Sequence, residues 1–326
     1  MSSTGQDSVA RGPEVLLGVE GGGTTTQAVV ADRNGKIIGR GLGPNCNHRK
    51  VGFDAASKAL RTAIEGALGQ VVGHQRTSEG PVWQRVNVAA ACLGLAGIDT
   101  PEDRERISSW IRRENITPRS QVVNDSELIL SGGTPEGWGV ALISGIGSIC
   151  IGRTRDGRTA RVGGWGHLFG DEGSGYQLAL DALRLASQTA DGRASANGVL
   201  KGILSYWRLS SAEDLISKVY KPETTGEEIA QLAITVQELA NRGDAEAVAL
   251  VDRGGEALAA HVDTVVRKLD LRQPPLALGG AALRASLKKS LLAHIKVEMG
   301  PVSLVQDPAQ AAVTMAQRLL QAPARP

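Results

Sequence analysis

Two segments of this chain, residues 15–41 and 140–164, repeat one pattern of strands and turns. In each segment an apolar strand leads into a Gly-rich turn, a second apolar strand, a polar turn and a third strand. The polar turns, Asn34-Gly35 and Asp156-Gly157, are dipeptides that close tight β-hairpins. Helical periodicity follows each repeat, so the sequence predicts an α/β fold built from two similar halves.

The Gly-rich turns of the two repeats have the composition of anion-binding loops. The first reads EGGGTTT over residues 20–26, and the second reads SGIGS over residues 144–148. Glycine lets backbone N–H groups approach an anion closely because no Cβ lies in the way. Two such loops, one in each half, are suited to hold the phosphates of ATP in a cleft between the halves. Either loop alone is equally consistent with a simple hairpin turn.

The nucleotide interpretation assigns roles to individual residues of the two loops. Glu20, at the end of the first strand, could hold a hydrated Mg²⁺ ion against the phosphates. The phosphate contacts are assigned to the small residues of both loops, which are Gly22, Gly23, Thr24, Thr25, Gly145, Gly147 and Ser148.

Length, charge and cysteine content narrow the class of protein. The 326 residues, 41% of them apolar and 21% charged, are typical of a soluble globular protein with about two domains. The formal net charge is +2 and the basic residues are dispersed, so we expect neither a nucleic-acid partner nor an anionic membrane partner. No apolar stretch approaches the roughly 20 residues of a membrane span. The three cysteines have no metal-ligand spacing and suit a reducing, cytoplasmic compartment.

The periodicity of apolar residues predicts the order of the elements. We expect a polar, disordered leader (1–13), an N-terminal domain (14–135) completed by a closing helix (308–326), and a C-terminal domain (136–307). Predicted helices cover residues 54–68, 175–189, 225–242, 244–269 and 308–320, with a further helix beginning after Thr100; predicted strands outside the repeats cover 86–96, 121–123 and 276–278.

An acidic residue stands between a predicted strand and a predicted helix. Asp125 lies in the tripeptide Asn124-Asp125-Ser126, where its carboxylate could accept the proton of an attacking hydroxyl. The alternative is a helix cap, since all three residue types are preferred at helix N-termini and Asn124 with Glu127 fits a capping box.

The segment 163–175, GGWGHLFGDEGSG, combines many glycines with aromatic, acidic and hydroxyl side chains. Such a mixture suits a ligand-binding loop better than a core, because ordering glycine costs the most backbone entropy. Trp165 offers a face for a sugar ring, and Asp171 offers acceptors for sugar hydroxyls. The alternative is an irregular connector with one buried Trp. His167 fits a structural histidine better than a general base.

Two further motifs are ambiguous when taken alone. Asn45, Asn47 and His48 form a polar cluster that suits either a turn or a loop that binds hydroxyl groups. Gly279-Gly280, between a strand and a helix, would let an adenine ring lie against the backbone, or would simply pack the helix on the strand.

In order and spacing, these motifs resemble the N-acetylglucosamine kinase-like members of the BadF/BadG/BcrA/BcrD ATPase family. That family is part of the superfamily of sugar kinases, actin and heat-shock chaperone ATPases. The resemblance covers nearly the whole chain and is carried by five motifs: VEGGGT at 19–24, Asn47-His48, Asp125, GGWGHLFGDEGS at 163–174, and Gly279-Gly280 as the adenosine motif.

The resemblance implies two duplicated ribonuclease H-like (actin-like ATPase) domains with a cleft between them. It implies an ATP- and Mg²⁺-dependent homodimer that phosphorylates an amino sugar, N-acetylglucosamine at O6 first, with N-acetylmuramic acid and glucosamine as further candidates. Asp125 would be the catalytic base. The sugar contacts would come from Asn47, His48, Asp125, Gly164, Trp165, Asp171 and Gly175.

One departure from the resembled pattern affects the second phosphate loop. Ile146 stands where the kinases have Thr, so a hydroxyl that could face phosphate is lost. Two alternative functions remain on the same scaffold. One is an ATPase activator of a reductase or dehydratase, which would need cysteines for an iron–sulfur cluster. The other is a non-catalytic, sugar-sensing regulator. Such a regulator usually has an N-terminal pair of DNA-binding helices, which the polar residues 1–13 could not form.

Overall fold

The computed structural model describes residues 14–72, 80–134 and 136–321. The predicted leader, 1–13, and the end of the predicted closing helix, 322–326, lie outside the described residues. The chain divides into two compact units. The N-terminal unit comprises Met1–Gly132 and Asp307–Pro326, and the C-terminal unit comprises Gly133–Gln306.

The described residues form ten strands, twelve α-helices and a short 3₁₀ helix at Val82–Arg85. The strands are β1 (Glu14–Gly21), β2 (Thr25–Ala31), β3 (Ile37–Pro44), β4 (Asn87–Leu95), β5 (Ser120–Asn124), β6 (Gly139–Ser144), β7 (Ser148–Arg153), β8 (Thr159–Gly163), β9 (Leu276–Gly279) and β10 (Val302–Leu304). The helices are α1 (His48–Val51), α2 (Phe53–Val72), α3 (Pro101–Arg113), α4 (Asp125–Gly133), α5 (Gly175–Ala190), α6 (Asn197–Trp207), α7 (Asp214–Val219), α8 (Gly226–Ala230), α9 (Leu232–Asn241), α10 (Ala245–Leu269), α11 (Ala285–His294) and α12 (Pro308–Gln321).

The two units have the same sheet topology. In the N-terminal unit the strand order is β3-β2-β1-β4-β5, with β1, β2 and β3 antiparallel and β1, β4 and β5 parallel. In the C-terminal unit β8-β7-β6-β9-β10 repeats this order and these directions. The predicted duplication of a ribonuclease H-like α/β domain is therefore confirmed. Each predicted hairpin repeat forms the antiparallel half of one sheet.

Helices cover both faces of the N-terminal sheet. Strands β1 and β4 are buried along nearly their whole length, as their continuous apolar sequences require. On one face α2 packs against β3 at Gly39, Gly41 and Gly43, where any side chain would overlap the α2 backbone. On the other face α12 lies on β1, since a Cβ on Gly18 would be 2.5 Å from the carbonyl oxygen of Ala309. This sandwich fixes the C-terminal ends of β1 and β5.

The core of the C-terminal unit is built around the longest helix. α10 buries Leu258, Val262 and Val265 and packs on β7 at Gly152, where a side chain would overlap Val265. Helices α5, α6 and α9 complete the same cluster of buried apolar side chains.

One predicted helix is wrong in detail. The sequence predicts a single helix over residues 225–242, whereas the structure has α8 and α9 separated at Gln231. No Gly or Pro marks the break. The Ala230 carbonyl lies 3.5 Å from the position of a Cβ on Gly175, so the end of α8 lies near the start of α5.

Helices α6 and α7 were not predicted from the sequence, and α11 was expected only as a helix of unstated length after Gly279-Gly280. In the described ranges of the chain, no helix has both the length and the apolar character that crossing a bilayer would demand.

Candidate active site

The first Gly-rich loop connects β1 to β2 and is held from two sides. The amide of Asn45 donates to the carbonyl oxygen of Gly23 at 2.9 Å, and the Ala96 N–H donates to that of Gly21 at 2.7 Å. A side chain at Gly21 would overlap the sulfur of Cys46. The loop is therefore fixed by its carbonyl groups. Among the described residues none accepts a hydrogen bond from the N–H groups of Gly22, Gly23 and Thr24, and the side chains of Thr24 and Thr25 are exposed.

Two carboxyl groups of the same unit have raised pKa values. Burial, followed by the charges of Asp125 and Asp307, raises the pKa of Glu20 to about 7. Burial, followed by the charge of Asp99 and opposed by the Ser126 N–H, raises the pKa of Asp125 to about 6. Carboxyl groups whose pKa is raised toward neutral pH in this way are typical of functional sites.

At residues 124–126 the helix cap is formed by the side chain of Asn124. The side-chain oxygen of Asn124 accepts hydrogen bonds from the N–H (3.1 Å) and hydroxyl (2.5 Å) of Ser126. Asn124 thus performs the capping. Asp125 Oδ1 accepts from the same N–H at 3.0 Å, and its Oδ2 has no hydrogen-bond donor among the described residues. That oxygen is available to a ligand.

Asn47 and His48 lie at the start of α1. Asn47 caps this helix, because its Oδ1 accepts from the Arg49 N–H at 3.1 Å. Its own N–H donates to Asn45 Oδ1 at 2.7 Å, which joins it to the residue that holds the first loop. The Nε2 atom of His48 is 2.9 Å from Oδ1 of Asp103, a residue that sequence reasoning missed. The spacing of Thr100 and Asp103, which form a capping box on α3, was the signal that could have found it.

The second Gly-rich loop connects β6 to β7 and is held by three segments. The Gly175 N–H, at the start of α5, donates to Gly145 O at 2.8 Å. The Ala282 N–H donates to Ser144 O at 2.9 Å, and a side chain at Gly280, whose φ is +99°, would overlap that carbonyl. Gly279, the last residue of β9, pairs with Ile143. Gly175 and Gly280 thus permit close approach of backbone to the second loop.

Ser148 and Asp171 are joined to each other within the C-terminal unit. The Ser148 N–H donates to Asp171 Oδ1 at 3.1 Å, and its hydroxyl donates to the Glu172 carbonyl at 2.8 Å. Both donors of Ser148 are therefore engaged. The carboxylate of Asp171 also lies against Gly147, with both oxygens 2.9 Å from the position of a Cβ there. The N–H groups of Ile146 and Gly147 have no acceptor in the described ranges, so these are the donors that the second loop presents.

The segment between β8 and α5 is exposed at its tip. Trp165 is 67% exposed, so this Trp is not the buried residue of a simple connector, and its ring lies 6.3 Å from that of Phe169. The ring of His167 contacts Tyr176 edge to face. Gly163 and Gly164 have φ values of +76° and +73°, and the Gly164 N–H donates to Ser148 O at 2.8 Å. The segment is thereby hydrogen-bonded to the second loop at Gly164, and its aromatic side chains, Trp165 and Phe169, are exposed.

The cysteines do not form a cluster site. Cys46, Cys92 and Cys150 are all buried and free. Burial raises the pKa of the Cys46 thiol to about 11, so it is protonated at neutral pH. Across the described residues, no group of three His, Cys, Asp or Glu side chains is placed to hold a metal ion.

Comparison with known proteins agrees with this description. Residues 17–315 match the model of the BadF/BadG/BcrA/BcrD ATPase family. The chain is 32% identical to an N-acetyl-D-glucosamine kinase of Dictyostelium discoideum over 93% of this chain and 98% of that protein. It is also 32% identical to an N-acetylmuramic acid/N-acetylglucosamine kinase of Clostridium acetobutylicum, over 81% of this chain and 83% of that protein.

Solved structures share the fold. A proposed N-acetylglucosamine kinase of Chromobacterium violaceum superposes with a TM-score of 0.72 at 24% identity, over 93% of this chain and 99% of that one. A ROK family glucokinase of Streptomyces griseus, solved with glucose and AMPPNP, gives a TM-score of 0.55 at 17% identity, over 94% and 100% of the two chains. The family match spans both units and all five motifs, and this chain therefore belongs to the BadF/BadG/BcrA/BcrD ATPase family.

Proposed function

We propose that this protein is an ATP-dependent sugar kinase that phosphorylates N-acetylglucosamine at O6, and that N-acetylmuramic acid and glucosamine are further substrates to be tested. The names of the two 32% identical relatives support the substrate class. The observation that carries the chemistry is Asp125, whose Oδ2 accepts no hydrogen bond from another described residue and whose pKa is raised, in the unit that holds the first Gly-rich loop.

In this mechanism Asp125 orients the sugar hydroxyl and accepts its proton. The hydroxyl oxygen forms a bond to the γ-phosphorus of ATP as the bond to the bridging β,γ-oxygen breaks, and ADP leaves. The N–H groups of residues 22–24, which have no acceptor among the described residues, are proposed to donate to phosphate oxygens, and the same role is proposed for those of residues 146–147 in their own unit. Such transfers gain most of their rate from positioning and charge neutralisation.

Glu20 is proposed to hold a hydrated Mg²⁺, which when bound neutralises phosphate charge. Among the remaining predicted contacts, Asn47, His48, Gly164 and Trp165 are proposed to bind the sugar. Gly279 and Gly280 are proposed to lie against the adenosine. Ser148, Asp171 and Gly175 are proposed to act mainly by fixing the second loop, because their hydrogen bonds join that loop to residues 171–175.

A cytoplasmic homodimer is the proposed form of the protein; the three free thiols suit a reducing compartment, and the dimer is what the resemblance noted from the sequence implies. Light scattering after size-exclusion chromatography tests the dimer.

The experiment is ADP release from ATP and Mg²⁺ with N-acetylglucosamine, N-acetylmuramic acid, glucosamine and glucose, with each product identified by mass and by ³¹P NMR. Release that depends on an amino sugar and yields its 6-phosphate is the expected result. ATP hydrolysis that is independent of every sugar would overturn the kinase assignment and favour an ATPase activator.

A further inference from the structure

Asp103 connects two side chains at the start of α1. Its Oδ1 is 2.9 Å from Nε2 of His48. Its Oδ2 accepts from the guanidinium of Arg49 at 2.7 Å, from the Thr100 hydroxyl at 2.9 Å and from the Thr100 N–H at 3.0 Å. The two partners of the first contact are well shielded, with 10% of the His48 side chain and 15% of the Asp103 side chain exposed. Each oxygen of Asp103 thus has its own set of partners.

The proton on the His48 ring can be placed from this arrangement. Burial alone would raise the pKa of Asp103, but hydrogen bonds from Arg49, Thr100 and His48 outweigh it and hold that pKa well below its usual value. An ionised carboxylate only accepts hydrogen bonds. Nε2 of His48 must therefore carry the proton and donate to Asp103.

The other ring nitrogen of His48, Nδ1, can then accept a hydrogen bond. No described residue makes a hydrogen bond with Nδ1 of His48, and this atom is not among the buried atoms that lack a partner. In a neutral imidazole whose Nε2 is protonated, Nδ1 carries a lone pair. The accessible polar atom of His48 is therefore an acceptor.

We propose that Asp103 is a positioning residue that holds His48 with its proton on Nε2, so that Nδ1 accepts a hydrogen bond from a sugar hydroxyl. The inference rests on the proposed function and adds the direction of one sugar contact. A site of this polarity favours a free hydroxyl over an ether at the same carbon, because an ether oxygen cannot donate.

The Asp103→Asn variant tests this with little change in volume. Four donors surround Oδ2, namely the Arg49 guanidinium, the Thr100 hydroxyl and the N–H groups of Thr100 and Asp99. The amide oxygen is expected to take that position, which turns the amide NH₂ toward His48. Nε2 must then accept, and the proton moves to Nδ1, so the ring presents a donor to the sugar in place of an acceptor.

The measurement has two parts, both made at pH 8.5, well above the ordinary pKa of a histidine side chain in model peptides. Long-range ¹H–¹⁵N spectra of histidine-labelled protein report the tautomer of each of the five histidines, with His48 assigned by its loss in His48→Gln. Steady-state kinetics give KM for the sugar and for ATP. We expect the wild type to show the Nε2–H form, with its Nδ1 resonance shifted by N-acetylglucosamine. We expect Asp103→Asn to show the Nδ1–H form and a sugar KM about 10-fold higher, with KM for ATP within about 2-fold.

Glu102→Gln is the matched control, because it removes one exposed carboxylate from the same first turn of α3 without touching His48. It should change neither the tautomer nor the sugar KM. A wild-type Nδ1–H form, or an inverted tautomer with an unchanged sugar KM, would overturn the proposal. If Asp103→Asn does not fold, the second variant is His48→Gln. It should raise KM for the sugar and leave KM for ATP unchanged.

The outcomes also separate this inference from the proposed function. If no sugar is phosphorylated, the kinase assignment fails, and the tautomer together with the sugar titration of Nδ1 still decides the inference. A wild-type Nδ1 resonance that stays constant at saturating sugar counts against it.

Discussion

At the scale of single residues, the catalytic role proposed for Asp125 makes the strongest prediction. Asp125→Asn keeps the shape and the hydrogen bond from Ser126 but removes the base, so kcat should fall at least about 1,000-fold while KM for ATP stays within about 3-fold. Coupled ADP assays and nucleotide titrations measure the two effects. Asp54→Asn, an exposed acid in the first turn of α2, is the control and should behave as wild type. A variant that keeps a tenth of the wild-type kcat would remove Asp125 from the mechanism.

The same raised pKa values predict how stability depends on pH. A carboxyl group whose pKa is higher in the folded state stabilises that state fully below its ordinary pKa near 4, and this contribution is lost as the pH rises through the folded pKa. For Asp125 and Glu20 the loss occurs up to about pH 6 and about pH 7. Asp125→Asn and Glu20→Gln should therefore be more stable than wild type at pH 8, each by roughly 1–3 kcal/mol.

Urea denaturation without nucleotide or divalent cation at pH 8 and pH 4.5 measures this difference. The gain should shrink toward zero at the lower pH, where both carboxyl groups are protonated in the folded wild type. Because the two carboxyl groups interact, the double variant should gain less than the sum of the single variants. Loss of stability in either single variant at pH 8 would contradict the argument.

At the scale of elements, the second Gly-rich loop contains a position where a substitution should change nucleotide binding without changing stability. A Cβ at Gly145 would meet no atom of the described residues within 4 Å, and the backbone there does not have a positive φ. Gly145→Ala should therefore fold with a Tm within about 2 °C of wild type but raise KM for ATP about 10-fold, because the methyl group would occupy space next to a phosphate. Calorimetry and steady-state kinetics test the two statements.

Two glycine variants serve as controls for that result. Gly69→Ala in α2 also has open space and should leave KM for ATP unchanged while stabilising the helix by about 0.5–1 kcal/mol. Gly280→Ala must overlap Ser144 O at a positive φ and should lower Tm clearly. An unchanged KM for ATP in Gly145→Ala would exclude this residue from the phosphate site.

The elements that were predictable are those whose signal is local. β1, β4 and β6 are buried strands and read as continuous apolar runs, and α10 carries a long amphipathic pattern between Asp244 and Leu269. The break at Gln231 was not predictable, because no Gly or Pro in the sequence marks it. In the candidate site, too, local features were predictable and contacts between remote residues were not. Loop composition indicated Gly22 and Gly145, but the bonds from Ser148 to Asp171 and from His48 to Asp103 join residues whose meeting only the fold determines.

At the scale of the whole molecule, the N-terminal unit depends on both ends of the chain. α12 supplies one face of its core through six buried residues: Ala309, Ala311, Ala312, Val313, Met315 and Ala316. The apolar area that these side chains bury contributes on the order of 5 kcal/mol. That is comparable with the 5–15 kcal/mol by which a whole domain is stable, so the unit cannot complete its core before its last helix is available.

Deletion of residues 307–326 should therefore unfold the N-terminal unit and leave the C-terminal unit, whose described core comes from one continuous segment, substantially helical. Trp83 and Trp110 are buried in the N-terminal unit and should shift their emission to the red, and sugar-dependent ADP release should be lost because Asp125 and the first loop lie in that unit. Deletion of 322–326 alone is the control, since it leaves every described contact of α12 in place. A chain without residues 307–326 that kept a cooperative urea transition at the wild-type midpoint would show that α12 is dispensable. It would then be necessary to explain how β1 tolerates exposure at Gly18, where the helix backbone now lies directly against the strand.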